Sequence, residues 1–549
     1  MPLDSSTSAI ARRGVDIREM PSVRRLNIDY LYRFEPLGRF FAGDPSSPGA
    51  WQEAIARAQA HARPRQELVA IVSAQQAARA TPAPARDALQ KLVEPTSIAI
   101  VTGQQAGLFG GPLYTLLKAI ATIRLADEIT RTHGVPAVPF FWVDSDDHDW
   151  DEVSRCSILD RELALQHVDV PKPEGAGILP VGQVVLPQAV GTAIDALGVH
   201  LSSTEFTDAL LGDLSRIYRA GRGMAAAFAE WLERLLAPHG LVVLDAADPA
   251  IKPLVRHVFA RELDTSGRTA ELAARAGTGL ETLGYHAQVT PQAGQPALFH
   301  LGHARLPIRY RDDTFAIGET SRAKADLLEE ISNEPARFSP NVLLRPIVQD
   351  TLLPTAAYMA GPSELVYLGQ LRDVYAHFDV PMPLIVPRPS ATILDSAATR
   401  FLARHTLNLD DLRAQDESLL NRLLEGQLPA TVEEGFSRAS AALQERLNEL
   451  IGAVPAVDPT LEGAARTTLT KMDRELQTLH AKVIQAAKRR DETLRRQFMR
   501  TRAQAFPGAQ PQERALGFVY FLNRYGPALV DQLRADLPLD ARQHWVLTP

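Results

Sequence analysis

Short apolar segments alternate with amphipathic stretches through the middle of the chain. The segments SIAIVTG (97–103), AVPFFWVDS (137–145), LVVLDAAD (241–248) and PLIVPR (383–388) are almost continuously apolar and have the length of strands. Apolar residues at helical spacing lie between them, as in 113–129. Strands that are apolar on both faces and alternate with helices are typical of a parallel sheet covered on both sides. The pattern therefore predicts a doubly wound α/β core.

The same pattern predicts three regions. Residues 1–94 read as a mainly helical region that packs on the core, 95–400 as the α/β core, and 401–549 as a helical C-terminal region. Two stretches of the core break the alternation and are predicted to be connecting insertions. The first, at about 155–235, contains a segment rich in proline and glycine, and the second, at about 285–315, is predicted to form hairpins.

Two stripes of apolar residues run along the C-terminal region. Steps of three and four residues join Leu469, Met472 and Leu476, and a similar stripe precedes the proline-containing link at 452–460. Two such helices on either side of a helix breaker predict an antiparallel coiled coil over about 431–505. The rest of this region is expected to form a tail that returns to the core.

Composition restricts the classes of function. The chain has 549 residues, of which 45% are hydrophobic and 22% charged, with a net charge of −7. This acidic balance argues against a protein built mainly to bind nucleic acid or an anionic membrane. Cys156 is the single cysteine, which excludes an internal disulfide framework and a multi-cysteine metal site. The N-terminus lacks the apolar core of a secretory signal, and no apolar run is long enough to span a membrane, so a cytoplasmic protein is expected.

The first candidate for chemistry is TGQQAGLFGGP (102–112), which stands between a predicted strand and a predicted helix. Glycines let backbone N–H groups approach a ligand closely, and a helix N-terminus attracts a carboxylate or a phosphate. We therefore expect Gly103–Gly111 to hold an anionic group and the paired glutamines to orient a substrate. The predicted binding residues of this segment are Thr102, Gly103, Gln104, Gln105 and Gly107.

The second candidate is DSDDHDWDE (144–152), at the end of the second predicted strand, where six carboxylates and one histidine fall within nine residues. Such a density is unfavourable unless some groups are protonated, paired or bound to a ligand. Three interpretations stay open: a divalent metal site, a general base at His148 oriented by Asp147 or Asp149, or a site for a substrate ammonium group. Because both segments follow core strands, we expect them to meet in one cleft at the carboxyl edge of the sheet.

Isolated polar residues also occur in the apolar stretch from 343 to 390. They are Arg345, Gln349, Asp350, Glu364, Gln370 and Arg388. Buried charges need partners, so part of this set is expected to form structural pairs. Arg388 directly follows a predicted strand and is the best placed to bind a substrate carboxylate through its forked guanidinium. Glu364 is the second candidate for substrate binding.

The sequence resembles the BshC family, the cysteine ligases of bacillithiol biosynthesis. The resemblance rests on VTGQQAGLFGGPLYT (101–115), FWVDSDDHDWDE (141–152), NVLLRPIVQDTLLPT (341–355), GPSELVYLGQL (361–371) and PQERALGFVYFLNRYG (511–526). It extends over essentially the whole chain. It implies a Rossmann-like core related to class I aminoacyl-tRNA synthetases, with inserted connecting peptides and a C-terminal α-helical coiled coil that mediates homodimerisation.

The resemblance also implies the last step of bacillithiol biosynthesis, in which L-cysteine is joined to glucosaminyl-malate. Because an amide forms only from an activated carboxyl group, ATP or ADP is the candidate cofactor, and no metal is predicted. Asp147, His148 and Asp149 would bind the amine or act as base, and Arg388 would bind a malyl carboxylate. The expected partners are the two substrates and a second copy of the chain, without nucleic acid or membrane. Two other classes stay open: a non-catalytic nucleotide- or thiol-binding scaffold, and a metal-dependent hydrolase centred on DSDDHD.

Overall fold

The computed structural model describes residues 10–292, 294–311, 314–425, 430–490 and 492–549. The chain divides into two compact units. The first is formed by Met1–Ile393 together with Pro511–Pro549, and the second by Leu394–Gln510. The last segment of the chain therefore belongs to the same unit as the parallel sheet.

The strands of the described residues fall into four sheets. They are β1 (Ala11–Asp16), β2 (Ile98–Gln104), β3 (Ala137–Val143), β4 (Arg155–Leu159), β5 (Leu165–Asp169), β6 (Val242–Asp245), β7 (Leu298–Leu301), β8 (Arg305–Arg311), β9 (Thr314–Ile317), β10 (Thr320–Arg322), β11 (Phe338–Pro340), β12 (Thr355–Ala360), β13 (Leu384–Pro387), β14 (Ser390–Ile393) and β15 (Gln543–Thr548).

Helices surround these sheets and form most of the second unit. They are α1 (Arg25–Tyr32), α2 (Pro48–Ala60), α3 (Arg65–Ala78), α4 (Ala83–Gln90), α5 (Leu113–His133), α6 (Trp150–Val153), α7 (Ala189–His200), α8 (Thr207–Ile217), α9 (Met224–Leu236), α10 (Lys252–Asp264), α11 (Arg268–Thr282), α12 (Lys324–Asn333), α13 (Arg345–Leu352), α14 (Pro362–Leu368), α15 (Arg372–His377), α16 (Ser396–Arg404), α17 (Ser418–Glu425), α18 (Ala430–Ala453), α19 (Leu461–Arg490), α20 (Glu492–Ala505), α21 (Gln512–Ala515), α22 (Phe518–Tyr525) and α23 (Ala528–Asp536).

The predicted α/β core is confirmed as a five-stranded parallel sheet with the order β13–β12–β2–β3–β6. The four predicted strands are β2, β3, β6 and β13, whereas β12 was not predicted. Alternate residues of β3 face opposite sides: Phe140 and Trp142 belong to one hydrophobic cluster, and Phe141 and Val143 to another. Burial on both faces explains why these strands are apolar at every position.

The strand order reverses beside β2, and this reversal fixes where a ligand can enter. From β2 the sheet grows through β3 and β6 on one side, and later through β12 and β13 on the other. Connections on the two sides leave the sheet in opposite directions, so a crevice opens beyond the carboxyl ends of β2 and β12. The first predicted segment, TGQQ, lies at this point, and the acidic segment follows the neighbouring strand.

The described residues form three further sheets, of five, three and two strands. The hairpins expected around 285–315 are strands of an antiparallel sheet with the order β10–β9–β8–β7–β11, and β4 pairs with β5 in the first insertion. The N-terminal region, predicted to be mainly helical, also contributes a strand. This strand, β1, runs antiparallel to β15, with Ala11 opposite Thr548, and β14 joins β15 on its other side.

Backbone hydrogen bonds join residues 511–518, near the end of the chain, to the glycine segment at 102–112. The N–H of Leu113, at the start of α5, donates to the carbonyl of Leu516 at 2.8 Å, and the N–H of Phe518 donates to the carbonyl of Gly111 at 3.2 Å. The N–H of Gly517 donates to Ser157 in β4 at 2.8 Å. Residues 511–518 are therefore structurally part of the core.

In the second unit, α18 and α19 form an antiparallel helix pair. Phe436 in α18 packs against the ring of His480 in α19, with 4.7 Å between the ring centroids. The His480 ring also contacts the carboxylate of Glu433 at 2.9 Å. The predicted breaker lies between the two helices, at 452–460. No helix in the described ranges is both long and apolar enough to cross a membrane.

Candidate functional site

A cavity of about 620 Å³ lies at the carboxyl edge of the parallel sheet. Its walls come from the ends of β2, β3 and β12, from α5 and α14, and from the loop before α13. Most of the predicted site residues line it. They are Gly103, Gln104, Gln105, Asp147, His148, Glu364 and Arg388. The two segments singled out in the sequence therefore meet in one cleft, as their positions after neighbouring strands predict.

Three of the predicted residues do not line the cavity. The Thr102 hydroxyl is buried and donates to the carbonyl of Met359 at 2.9 Å, which joins β2 to β12. The Asp149 carboxylate accepts the N–H of Glu152 at 3.2 Å and so caps α6. Gly107 packs against Gly111, where a Cβ would approach a backbone carbon at 2.8 Å. We interpret these three residues as structural.

The glycine segment does not form the anion cradle that its sequence predicts. Residues 106–111 are buried, and the first N–H of α5 is bonded to Leu516. Gly110 has a φ of +96°, and a Cβ there would lie 2.0 Å from the ring of Phe518. The glycines therefore serve close packing and a left-handed turn. Only Gly103, Gln104 and Gln105 of this segment face the cavity.

A buried ion pair fixes the acidic segment to α10. Lys252 at the start of α10 donates to both carboxylate oxygens of Asp146, at 2.8 and 2.6 Å, and both side chains are nearly inaccessible. The hydroxyl of Ser145 donates to the partly buried carboxylate of Asp245 at the end of β6. Two residues of the segment are thus fixed to neighbouring elements, and the following Asp147 and His148 project into the cavity.

Asp147, His148 and Gln105 form one hydrogen-bonded group. The Gln105 amide donates to Asp147 at 2.6 Å, and the other Asp147 oxygen accepts the backbone N–H of His148 at 2.7 Å. Arg305 lies 3.0 Å from Nδ1 of His148. Because a guanidinium can only donate, Nδ1 is the acceptor and the imidazole proton lies on Nε2. In this state His148 can donate to a ligand, but it has no free nitrogen with which to act as a base.

Asp144 is the carboxyl group of this loop with the most altered acidity. Burial raises its pKa to about 6, Arg345 opposes the rise, and the neighbouring Asp147 and Asp146 add to it. The nearest cation is the Arg345 guanidinium, whose Nε lies 4.0 Å from a carboxylate oxygen of Asp144. The Asp144 side chain is 30% exposed and lines the cavity. A carboxylate with this pKa can accept a proton near neutral pH.

A lysine from the interior of α5 forms part of the cavity floor. Lys118 donates to the carbonyl of Gly103 and to a carboxylate oxygen of Glu364, each at 2.6 Å. Glu364 also accepts the hydroxyl of Tyr358 at 2.7 Å and the N–H of Gly361 at 2.6 Å. Burial would raise the pKa of Glu364, but Lys118 and these donors hold it below its usual value. Glu364 is therefore an ionised member of the site.

Arg388 lines the cavity but is already paired. Its two terminal nitrogens contact the two carboxylate oxygens of Glu513 in the last segment of the chain, at 2.9 and 2.7 Å, and both residues are buried. The pKa of Glu513 is lowered, because Arg388 outweighs the effect of burial. Such a bidentate pair uses the fork that a substrate carboxylate would need. The carboxylate-binding role predicted for Arg388 would require this pair to open.

Sequence reasoning missed several residues that line the cavity. They include Tyr114, Lys118, Arg305, Tyr358 and Arg514. Lys118 had a readable signal, since it is the one charged residue in the apolar stretch LYTLLKAIATI. By contrast, Gln349, Asp350 and Gln370 are fully buried and hydrogen-bonded to neighbouring groups, so that part of the polar set is structural.

The carboxylates of the acidic segment point to different partners, which does not suit a metal centre. Asp146 faces Lys252, Asp147 faces Gln105, and Asp149 caps α6. Within the residues that the structure describes, no three histidine, cysteine, aspartate or glutamate side chains are grouped so as to hold a metal ion. The arrangement instead offers acceptor oxygens to a ligand that donates hydrogen bonds.

The fold and the site together define an α/β protein with a cavity lined by charged residues at the switch point of a Rossmann-like sheet, the usual place of a small-molecule site in this fold. The family model described as the N-terminal Rossmann-like domain of bacillithiol biosynthesis BshC matches residues 14–389. The model of its C-terminal coiled-coil domain matches residues 391–549. The chain belongs to the BshC family of bacillithiol biosynthesis, as its motifs predict.

Relatives named as cysteine ligases BshC align along most of their length. The protein of Salinibacter ruber is 34% identical over 527 residues, which cover 95% of this chain and 96% of that protein. The Koribacter versatilis protein is 34% identical over 79% of this chain and 81% of its own. The protein of Solibacter usitatus is 28% identical, and the alignment covers 96% of this chain and 98% of the relative.

Proposed function

We propose that this protein is a cysteine ligase of bacillithiol biosynthesis, which joins the carboxyl group of L-cysteine to the amine of glucosaminyl-malate through an amide bond. The observation that carries the proposal is the single cavity in which Gln104, Gln105, Asp147 and His148 converge. Its acidic loop offers acceptors to an amine, and its arginines offer charge to carboxylates. Family membership supports the same reaction, whereas the scaffold and hydrolase alternatives have no observation in their favour.

In the proposed reaction the amine nitrogen attacks the activated carbonyl carbon of cysteine. The new C–N bond forms as the leaving group departs with its electron pair, and the amine loses a proton. Asp144 is the best candidate to accept this proton, because it lines the cavity and its pKa is about 6. Neutral His148 donates from Nε2 to an oxygen of the substrate, and Gln105 keeps Asp147 in position.

ATP is proposed as the agent that activates the carboxyl group, since a free carboxylate has no adequate leaving group. The glycine segment does not fit the phosphates of a nucleotide, because its N–H groups at the start of α5 are buried or bonded to Leu516. We therefore assign no step to a nucleotide at this position. A reducing cytoplasm is the proposed location, because the cysteine substrate must keep its thiol.

Mass spectrometry of the purified protein with cysteine, glucosaminyl-malate and ATP, each omitted in turn, tests the reaction. The expected product has the mass of the two substrates minus water and appears only when both are present. Product formed without ATP would remove the activating agent from the proposal. If the complete mixture yields no product with a well-folded protein, the proposed reaction is wrong.

Homodimerisation through α18 and α19 is a further part of the proposal. Apolar side chains are exposed on this helix pair, among them Leu450 at 53% and Leu479 at 52%. A second copy would cover them. Light scattering after size-exclusion chromatography should give twice the mass of 60.1 kDa. Replacing Leu450 and Leu479 together by glutamate should give the monomer mass, whereas an unchanged dimer would place the interface elsewhere.

A further inference from the structure

One cation of the cavity, Arg514, has no carboxylate within 4.0 Å among the described residues; the carboxylate of Glu152 acts on it from a greater distance. Each of the other cations has one: Lys118 contacts Glu364 at 2.6 Å and Arg388 contacts Glu513 at 2.7 Å. Arg305 lies 3.6 Å from Asp147, and Arg345 lies 4.0 Å from Asp144. In the described parts of the chain, the Arg514 side chain has no hydrogen bond and no ion pair within 4.0 Å. A ligand carboxylate could bind it without displacing anything.

The backbone that carries Arg514 is held firmly. Its neighbour Gln512 both donates to and accepts from the backbone of Ile393, at 2.7 Å each way. Glu513, which directly precedes Arg514, binds Arg388 and accepts the N–H of Ala391 at 3.1 Å. The position of Arg514 is thus fixed by buried contacts while its side chain stays exposed to the cavity. Such pre-organisation lowers the entropy lost when a ligand binds.

Arg514 lies beside an aromatic ring of the cavity, together with Arg388. Its guanidinium carbon lies 5.7 Å from the ring centroid of Tyr114, and that of Arg388 lies 5.4 Å from the same centroid. The Arg388 charge is balanced by Glu513, whereas Arg514 faces the more distant carboxylate of Glu152, which acts on it through charge and not through an ion pair within 4.0 Å. Asp147 and His148 of the acidic loop line the same cavity. A substrate that carries both an amine and carboxylates finds acceptor oxygens and an arginine in one cavity.

We propose that Arg514 binds a carboxylate of the malyl group of the acceptor substrate. This inference rests on the proposed function, and it assigns to Arg514 the role that the sequence suggested for Arg388. Arginine suits the task because its fork can donate two parallel hydrogen bonds to one carboxylate. Cysteine also carries a carboxylate, but that group is consumed in the reaction and must stay near the amine of the acceptor.

Steady-state kinetics of Arg514→Gln and Arg514→Lys test the assignment. Loss of a hydrogen-bonded ion pair with a ligand should raise the KM for glucosaminyl-malate about 10- to 100-fold in Arg514→Gln. The KM for cysteine should change less than about twofold, and Arg514→Lys should retain part of the affinity because it keeps the charge. Arg219→Gln, an exposed arginine that does not line the cavity, is the matched control.

Binding of free L-malate, measured by calorimetry, separates this inference from the ligase reaction. Malate should bind the wild-type protein and Arg219→Gln equally, and Arg514→Gln much more weakly. If product forms but neither acceptor KM nor malate affinity depends on Arg514, the assignment is wrong and the ligase function stands. If malate binding depends on Arg514 but no product forms, the assignment stands and the proposed ligase reaction is wrong.

Discussion

Asp144→Asn should make this protein more stable and far less active. Ionised Asp144 is held beside Asp146 and Asp147, its nearest cation is 4.0 Å away, and none of the described groups donates a hydrogen bond to its side chain. Asparagine has nearly the same shape and no charge, so it removes the repulsion without leaving a cavity. If Asp144 is the base of the reaction, the same change should lower kcat by about 100-fold or more.

The size of the stability effect follows from the pKa of Asp144, which burial raises from 3.8 to about 6. A difference of one pKa unit corresponds to about 1.36 kcal/mol, so the upper bound is about 3 kcal/mol. Since the side chain is 30% exposed, solvent screening reduces this to about 1–2 kcal/mol. Because the folded state has the higher pKa, the wild-type protein loses stability as the pH rises from about 4 to about 6.

Denaturant unfolding at a series of pH values measures this effect. The stability of Asp144→Asn relative to the wild type should increase between about pH 4 and pH 6 and stay constant above. The rate of the wild-type enzyme should fall below about pH 6, where Asp144 becomes protonated. Asp151→Asn removes the same charge from an exposed position that does not line the cavity, and it should change neither property.

Two outcomes would refute the reasoning. If Asp144→Asn is less stable than the wild type near neutral pH, the ionised carboxylate must have a partner that outweighs its burial. If the variant is more stable but keeps full activity, Asp144 is a strained group without a part in proton transfer, and another acceptor such as Asp147 must be sought.

Two further predictions concern buried groups. Lys252→Met should reduce the free energy of unfolding by about 3–5 kcal/mol, because it leaves Asp146 buried without a counter-ion. In denaturant unfolding, the double variant Lys252→Met with Asp146→Leu should recover most of this loss. Equal stability of the single and the double variant would contradict the argument. Cys156 is buried, and burial raises the pKa of its thiol to about 12. Iodoacetamide at about pH 8 should therefore leave the folded protein unlabelled, whereas the protein unfolded in guanidinium chloride should be modified, as measured by mass spectrometry. Rapid labelling of the folded protein would show that the thiol is accessible.

The parallel sheet was largely predictable because its strands carry a simple signal. Residues buried on both faces must be apolar at every position, as in AVPFFWV of β3. β12 escaped prediction because its sequence, TAAYMA, is rich in residues that favour helices, and alanine and methionine give no β signal of their own. What makes it a strand is its place between β2 and β13, which is a tertiary effect.

The location of the site was predictable, whereas the pairing of its charges was not. Positions after neighbouring parallel strands place the Gln105 and Asp147 segments at one edge whatever the rest of the chain does. Whether an arginine is free or paired depends on residues far away in sequence. Arg388 pairs with Glu513, which lies 125 positions later in the sequence, and no local sequence pattern predicts this contact. Arg514, which forms no ion pair within 4.0 Å in the described parts of the chain, directly follows Glu513 in a segment that the sequence marks only by family resemblance.

The pairing of charges also decides how two similar substrates are told apart. Both cysteine and the acceptor carry an amine and a carboxylate, so an acidic loop by itself would bind either one. In cysteine the two groups are attached to the same carbon, whereas in glucosaminyl-malate the sugar separates the amine from the malyl carboxylates. Glucosaminyl-malate therefore presents its amine and its carboxylates on separate parts of the molecule, so that the acidic loop and Arg514 can each bind a different group. On this reasoning the ion pairs Lys118–Glu364 and Arg388–Glu513 stabilise the walls of the cavity. The charge of Arg514 then selects the acceptor substrate and its orientation.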